Sequence, residues 1–153
     1  MKWNYIIIPL AVIAVSLIGG RFTSAGMAWY KTIRLPGFTP AGFVIGIVWT
    51  VIFTLCAVCL LLLWNKGLSG NRVWVIVALF TVNGLLNILW SYLFFTRHAI
   101  GWAVAEAALL DATVIILIIL IWPLSRLAAA LLIPYAAWTA FAAYLTYSVW
   151  RLN

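Results

Sequence analysis

PAGFVIGIVWTVIFTLCAVCLLLLW, residues 40–64, decides the fold. No Asp, Glu, Lys or Arg interrupts it. A helix needs about 20 apolar residues to cross the hydrocarbon core of a bilayer, and this run supplies them in one piece. Thr39 is placed to cap the helix and Pro40 to occupy its first turn. Trp64 closes it, where an amphipathic ring sits at headgroup level. Cys56 and Cys59 form a C-x-x-C inside the run, flanked by Leu55, Val58 and Leu60. They read as small buried hydrophobes rather than a redox pair. Gly42 and Gly46 form a small-x-x-x-small pair, which suits close helix packing inside one bundle or between the two copies of a homodimer.

Four other segments repeat the pattern. They run from about residue 3 to 20, stopped by Arg21; from 73 to 95; from 101 to 122, ended by Pro123; and from 124 to 150. Pro134 should kink the last of these about two turns in. Lys2 ahead of an apolar run also fits a signal peptide, but no small-x-small cleavage site follows. The predicted fold is an all-α membrane protein with one domain over residues 1–153. It is a five-transmembrane-helix bundle with a long loop, 21–39, between helices 1 and 2. Such a loop on a compact bundle is more often functional than idle.

Composition agrees. The chain is 68% hydrophobic and 7% charged, with a mean hydropathy of +1.21. About a quarter of an average soluble chain is charged, so a soluble domain is excluded. The net charge of +7 raises the possibility of nucleic acid. Its sources argue against it: Lys2, Arg21, Lys31, Arg34, Lys66, Arg72, Arg97, Arg126 and Arg151 are scattered near the ends of apolar runs. They read as snorkelling anchors in a lipid bilayer. Trp3, Trp29, Trp64, Trp74, Trp102, Trp122 and Trp150 sit at the same ends and form an aromatic belt. With five spans the termini face opposite sides, A for the N-terminus and B for the C-terminus. Side A carries Lys2, Lys66, Arg72 and Arg126, and side B carries Arg21, Lys31, Arg34, Arg97 and Arg151. That balance does not orient the chain.

Three tryptophans lie inside the runs, and an indole N–H in hydrocarbon needs a partner. At about 1.5 Å per residue, Trp49 lies about 14 Å, Trp90 about 8 Å and Trp138 about 18 Å from side B. Trp49, Phe53 and Cys56 share one helical face. Asn83, Asn87, Trp90 and Phe94 share another, and asparagine within a span should point inward. Tyr135, Trp138 and Ala142 share a third. These faces suit a flat, largely apolar ligand with a few polar edges, or simply bond to one another across helices.

Glu106 and Asp111 are the only acids, both in helix 4. Glu106 is near enough to side B to reach headgroups or Arg97, and Asp111 is deeper. Either carboxyl also fits a helix-packing contact. They are five residues apart and make a poor acid–base pair. One His and two carboxylates cannot build a metal site. His98 reads as interfacial.

Trp29-Tyr30, Leu35-Pro36-Gly37-Phe38-Thr39-Pro40 and Val48-Trp49-Thr50 resemble the WY…KPxxxPP…VW signature of the TspO/MBR family of translocator and tryptophan-rich sensory proteins. Asn87-Ile88-Leu89-Trp90-Ser91 through Phe94-Phe95 is similar to its NxxWS…FF. Ile100-Gly101-Trp102-Ala103 with Glu106 is similar to its GWAL-x-D. Pro134-Tyr135-Ala136-Ala137-Trp138, Phe141-Ala142 and Val149-Trp150-Arg151-Leu152-Asn153 resemble its ending. Ala41, Glu106 and Phe94 depart from the family's second proline, its aspartate and a polar residue of some members.

The resemblance implies a five-helix bundle, often a homodimer, in a bacterial cell membrane. It implies a cavity under the first loop for porphyrins such as protoporphyrin IX, sterols and synthetic carboxamides. No cofactor is required; a porphyrin would be ligand or substrate. The ligand-binding residues carried over are Tyr30, Trp49, Phe53, Asn87, Trp90, Trp138 and Ala142, and Asn83 joins them from its place on the Asn87 face. Leu145, Tyr147 and Arg151 match a sterol motif, as do Leu89, Tyr92 and Arg97, which shows how loose that pattern is. The family resemblance permits a porphyrin-binding sensor or carrier, with Tyr30 in the loop that closes over it. It also permits an enzyme for light- and oxygen-dependent breakdown of protoporphyrin IX, with Trp49 and Trp138 as its catalytic candidates. A sterol or tetrapyrrole transporter is a third reading, against which stands the lack of an internal repeat.

Overall fold

The computed structural model describes residues 3–67 and 70–153, so Lys2, read above as an anchor, lies outside them. Helix α1 covers Asn4–Tyr30 and α2 covers Gly42–Asn65. Helix α3 covers Asn71–Ser91 and widens into a π-turn over Tyr92–Thr96. Helix α4 covers Ile100–Ile121, α5 covers Arg126–Ala130 and α6 covers Ile133–Leu152. With α5 and α6 taken together, five helices are long and apolar enough to cross a membrane. The described residues contain no strand. Large apolar side chains such as Leu17, Phe43, Leu85 and Ile119 lie bare on the outside. In a bilayer that surface meets lipid tails, so it is no liability.

The long loop is the main departure from expectation. Residues 21–30 are helical, and the connection shrinks to 31–41. Arg21 ends the hydrocarbon stretch without ending the helix. The next turns are held by packing: Phe22 meets Tyr92 edge-on at 5.3 Å, and Gly26 is buried against the backbone of Phe95. At about 1.5 Å per residue the 27-residue helix is about 40 Å long, enough to include the headgroup layer.

Helix starts also differ. The α2 N-cap is Ala41, in extended backbone and without a side-chain cap. Thr39 turns back instead: its N–H and Oγ1 both donate to the Pro36 carbonyl, at 3.0 and 2.7 Å. Pro134 does not kink a continuous helix. It lies in the first turn of α6, where a missing N–H is harmless. Its ring excludes a helical carbonyl four residues back, and α5 ends there, at Ala130. Ser125 caps α5 by accepting from the Ala128 N–H at 3.3 Å.

The tightest helix pair is α4 with α6, followed by α3 with α4 and by α1 with both α3 and its π-turn. Helix α2 packs on α1 and α5. Toward side A it enters the main core, where Ile52, Cys56, Cys59 and Leu63 meet Ile76, Val114, Leu117, Ile121, Ala128, Ala129, Leu132 and Tyr135. Asn4 and Tyr5 bond to Asn65, and Lys66 Nζ donates to the Leu124 carbonyl at 3.0 Å. Toward side B no α2 residue before Ile52 is buried. So α2 is anchored at one end and open at the other.

Gly42 and Gly46 lie on that open end. A Cβ added at either would meet nothing within 4 Å. The pair therefore serves no packing inside the bundle. Gly46→Leu is expected to leave the fold intact and to raise stability by up to about 1 kcal/mol, the helix-propensity difference between the two residues. Thermal unfolding in detergent checks this, and a drop of several degrees would show that the face is covered within the folded chain.

Candidate functional site

Asparagines cannot face lipid, and the structure turns both inward onto one phenol. Tyr135 is 2% exposed. Its hydroxyl donates to Asn83 Oδ1 at 2.8 Å and accepts from Asn87 Nδ2 at 3.2 Å. Asn83 Nδ2 donates to Thr113 Oγ1 at 2.8 Å, and Thr113 Oγ1 donates to the Leu110 carbonyl at 2.7 Å. The network ties α3, α4 and α6 together at one level. Sequence reasoning put Tyr135 on the Trp138 face but not in the site, and it missed Thr113 altogether. A hydroxyl within an apolar run was the available signal.

The predicted aromatics fall into two groups. Trp49 lies 5.5 Å from Phe53 and meets Tyr135 edge-on at 6.1 Å, while Trp138 lies 5.4 Å from Phe141. These rings belong to the α2 and α6 walls. Trp90 stacks on Phe94 at 5.2 Å, and Tyr30 reaches Phe94 and Phe95 at 6.2 and 5.5 Å. Together with Trp29, Ala103 and Val149 they form a second cluster at side B. The π-turn sets Phe94 and Phe95 both inward, and both are buried. Ala142 is half-buried, and its carbonyl accepts from Thr146 Oγ1 at 2.7 Å.

Within these groups the indole N–H of Trp90 and that of Trp138 are buried and have no hydrogen-bond partner among the described residues. A buried donor left unpaired costs about 1–3 kcal/mol. Each lies about one turn toward side B from a member of the network, Trp90 from Asn87 and Trp138 from Tyr135, and each packs in a different aromatic group.

The connection 31–41 lies over the side-B end of α6. Asn153 holds the Arg34 backbone from both sides, accepting from its N–H at 3.0 Å and donating to its carbonyl at 2.9 Å. Phe38 stacks on Tyr144 at 5.6 Å. Two concavities, of about 580 and 340 Å³, lie elsewhere. The larger runs along the outside from His98 to Trp150, and the smaller lies at side A between Trp64 and Trp74. The predicted residues are instead packed against one another.

The acids have different fates. Thr139 Oγ1 donates to Asp111 Oδ1 at 2.7 Å, a contact between α4 and α6. Glu106 does not reach headgroups or Arg97. It is 6% exposed, and neither carboxyl oxygen has a hydrogen-bond partner among the described residues. Its place on the inward face, one turn from buried Ala103 and Leu110, turns the short side chain away from the surface. His98 is exposed in left-handed backbone (φ 54°) and stacks on Trp29 at 4.1 Å. In the sterol motif, Tyr147 and Arg151 are exposed on the outside and Leu145 is half-buried.

These features define a five-span α-helical membrane protein with tryptophan N–H groups and amides turned into its interior. The TspO/MBR family profile matches residues 6–151. The chain is 30% identical to the tryptophan-rich protein TspO of Bacillus cereus, over 100% of this chain and 99% of that protein. It is 35% identical to the tryptophan-rich protein TspO of Archaeoglobus fulgidus, over 94% and 93%. It is 34% identical to the human translocator protein, over 89% and 82%. The chain belongs to the TspO/MBR family, and it is a multi-pass integral membrane protein.

Proposed function

We propose that this protein binds porphyrins, protoporphyrin IX foremost, and other flat apolar ligands between α2, α3 and α6. The reading rests above all on the buried, unpartnered N–H groups of Trp90 and Trp138. A ligand with acceptor atoms on its edge would satisfy them, and its ring system would lie on the aromatic walls. Entry would run past the side-B end of α2, which has no fully buried residue before Ile52 and meets the core only through half-buried Val48 and Trp49. The exposed bases at side B, Arg34 and Arg97 among them, would meet the acidic side chains of a porphyrin at the rim.

Titration with protoporphyrin IX, followed by quenching of tryptophan fluorescence, tests the proposal. Trp138→Phe keeps the ring bulk and removes one donor. It should weaken binding about fivefold, the equivalent of one hydrogen bond of roughly 1 kcal/mol. Trp90→Phe should do the same. Unchanged affinity in both variants would take these residues out of the site. Illuminating the same samples separates binding from light- and oxygen-dependent breakdown, since only breakdown yields a new absorbing product absent in the dark.

A further inference from the structure

Glu106 is the one interior acid left without a role among the described residues. Asp111 has Thr139. Every described Lys and Arg is exposed, and none of them bonds Glu106. A lone carboxylate in an apolar interior needs a proton or a cation with it. The register of α3 against α4 shows what faces it. Asn83 bonds Thr113 across the pair. Two turns toward side B from Asn83 is Trp90, and two turns toward side B from Thr113 is Glu106. The helices run antiparallel, so the two residues stand at one level on facing sides. Ala103, one turn above Glu106 on the same face, belongs to the cluster of Trp29, Tyr30, Trp90, Phe94 and Phe95. Glu106 therefore stands one turn below a packed aromatic cluster, on the face that Ala103 presents to it. Aromatic rings over a carboxylate are the chemistry that recognises an organic cation with N–H donors.

We propose that Glu106 and the aromatic cluster around Trp90 form a subsite for a flat ligand bearing a cationic, N–H-donating nitrogen. The two free carboxylate oxygens accept two N–H groups, and the rings face the positive charge. The assignment rests on the interior being a ligand site, as proposed above, and it adds a preference that acceptor-seeking tryptophans alone do not give. It also gives a reason for a carboxylate at this depth, which helix packing does not.

The test uses two probes of one three-ring shape: 9-aminoacridine, a cation with N–H donors at neutral pH, and neutral 9-methylanthracene. Each is titrated against the purified full chain in detergent, and protoporphyrin IX is titrated in parallel. Glu106→Gln keeps the side-chain volume and removes the charge. It should weaken 9-aminoacridine about tenfold or more, as loss of a charge-assisted contact does, and leave 9-methylanthracene within twofold. Glu106→Asp, which keeps the charge on a shorter arm, should fall between. Far-ultraviolet circular dichroism and thermal unfolding establish that each variant is folded. Equal change for both probes, or an undiminished advantage for the cation in Glu106→Gln, would overturn the subsite. If protoporphyrin IX still bound in that case, only the role of Glu106 would fall. Failure of the wild-type protein to bind any of the three would remove the ligand-site reading itself.

Discussion

Gly26→Ala is expected to lower the melting temperature by several degrees, an unusual result for the gentlest of helix substitutions. A Cβ at Gly26 would lie 2.2 Å from the Phe95 carbonyl oxygen and 2.6 Å from Phe95 Cβ. Neither atom can rotate away, because one is backbone and the other is fixed to it. Helix α1 would have to lift off the π-turn, loosening Phe22 from Tyr92 and Tyr30 from Phe95. Overpacking of this kind costs about 1–3 kcal/mol. Gly20→Ala is the control. Its Cβ would meet nothing within 4 Å, and alanine is the better helix former by up to about 1 kcal/mol. The two substitutions should therefore shift stability in opposite directions. Cys56 and Cys59 are free and buried, so a thiol-reactive dye reports unfolding in detergent. The same downward shift in both variants would mean that the contact between α1 and Phe95 is not close.

That contact also marks where sequence reading stopped. The five spans were legible because lipid demands about 20 apolar residues in a row, and the run 40–64 says so without any partner. The inward turn of Asn83 and Asn87 was legible for the same reason: amides in hydrocarbon leave one place to point. The end of α1 was not. Arg21, Thr23, Ser24 and Gly26 read as the start of a loop because their local preferences are weak, and only Phe95, far along the chain, makes Gly26 a helix residue. The starts of α2 and α6 failed similarly. Thr39 is a good cap in isolation, but the Pro36 turn engages it first. Pro134 was read as a kink, though a proline in a first turn and one in mid-helix look alike in sequence. Helical spacing put Asn83 and Asn87 on one face, and both reach the Tyr135 hydroxyl. It could not tell that Trp90 packs with the α1 end while Trp49 and Trp138 pack on the main core, because that depends on how the helices lean. Glu106 and Asp111 show the limit plainly. Both are lone acids in one helix, and only the tertiary neighbour decides that one is bonded and the other is not.

Tyr135→Phe should be the most damaging loss of a single atom in the protein. The hydroxyl serves two amides at once, and phenylalanine leaves Asn83 Oδ1 and Asn87 Nδ2 without it. Hydrogen bonds between membrane helices are individually modest, about 0.6 kcal/mol on average, since the alternative state also finds partners. Here the two amides are held in place by a packed core in which Tyr135 touches α2 through Trp49, so local rescue is blocked. A loss of about 1–3 kcal/mol is expected, read as a lower melting temperature. A double-mutant cycle isolates the network. In an Asn83→Ala background, Tyr135→Phe should cost less, because one of the two amides that depended on the hydroxyl is already gone. The coupling should be about 0.5 kcal/mol or more. Strict additivity would mean that the hydroxyl and the amide act independently. The ring itself is kept in Tyr135→Phe, and so is its edge contact with Trp49. Protoporphyrin affinity in the variant should therefore fall less than it does in Trp138→Phe. A larger fall would shift Tyr135 from holding the helices together to touching the ligand.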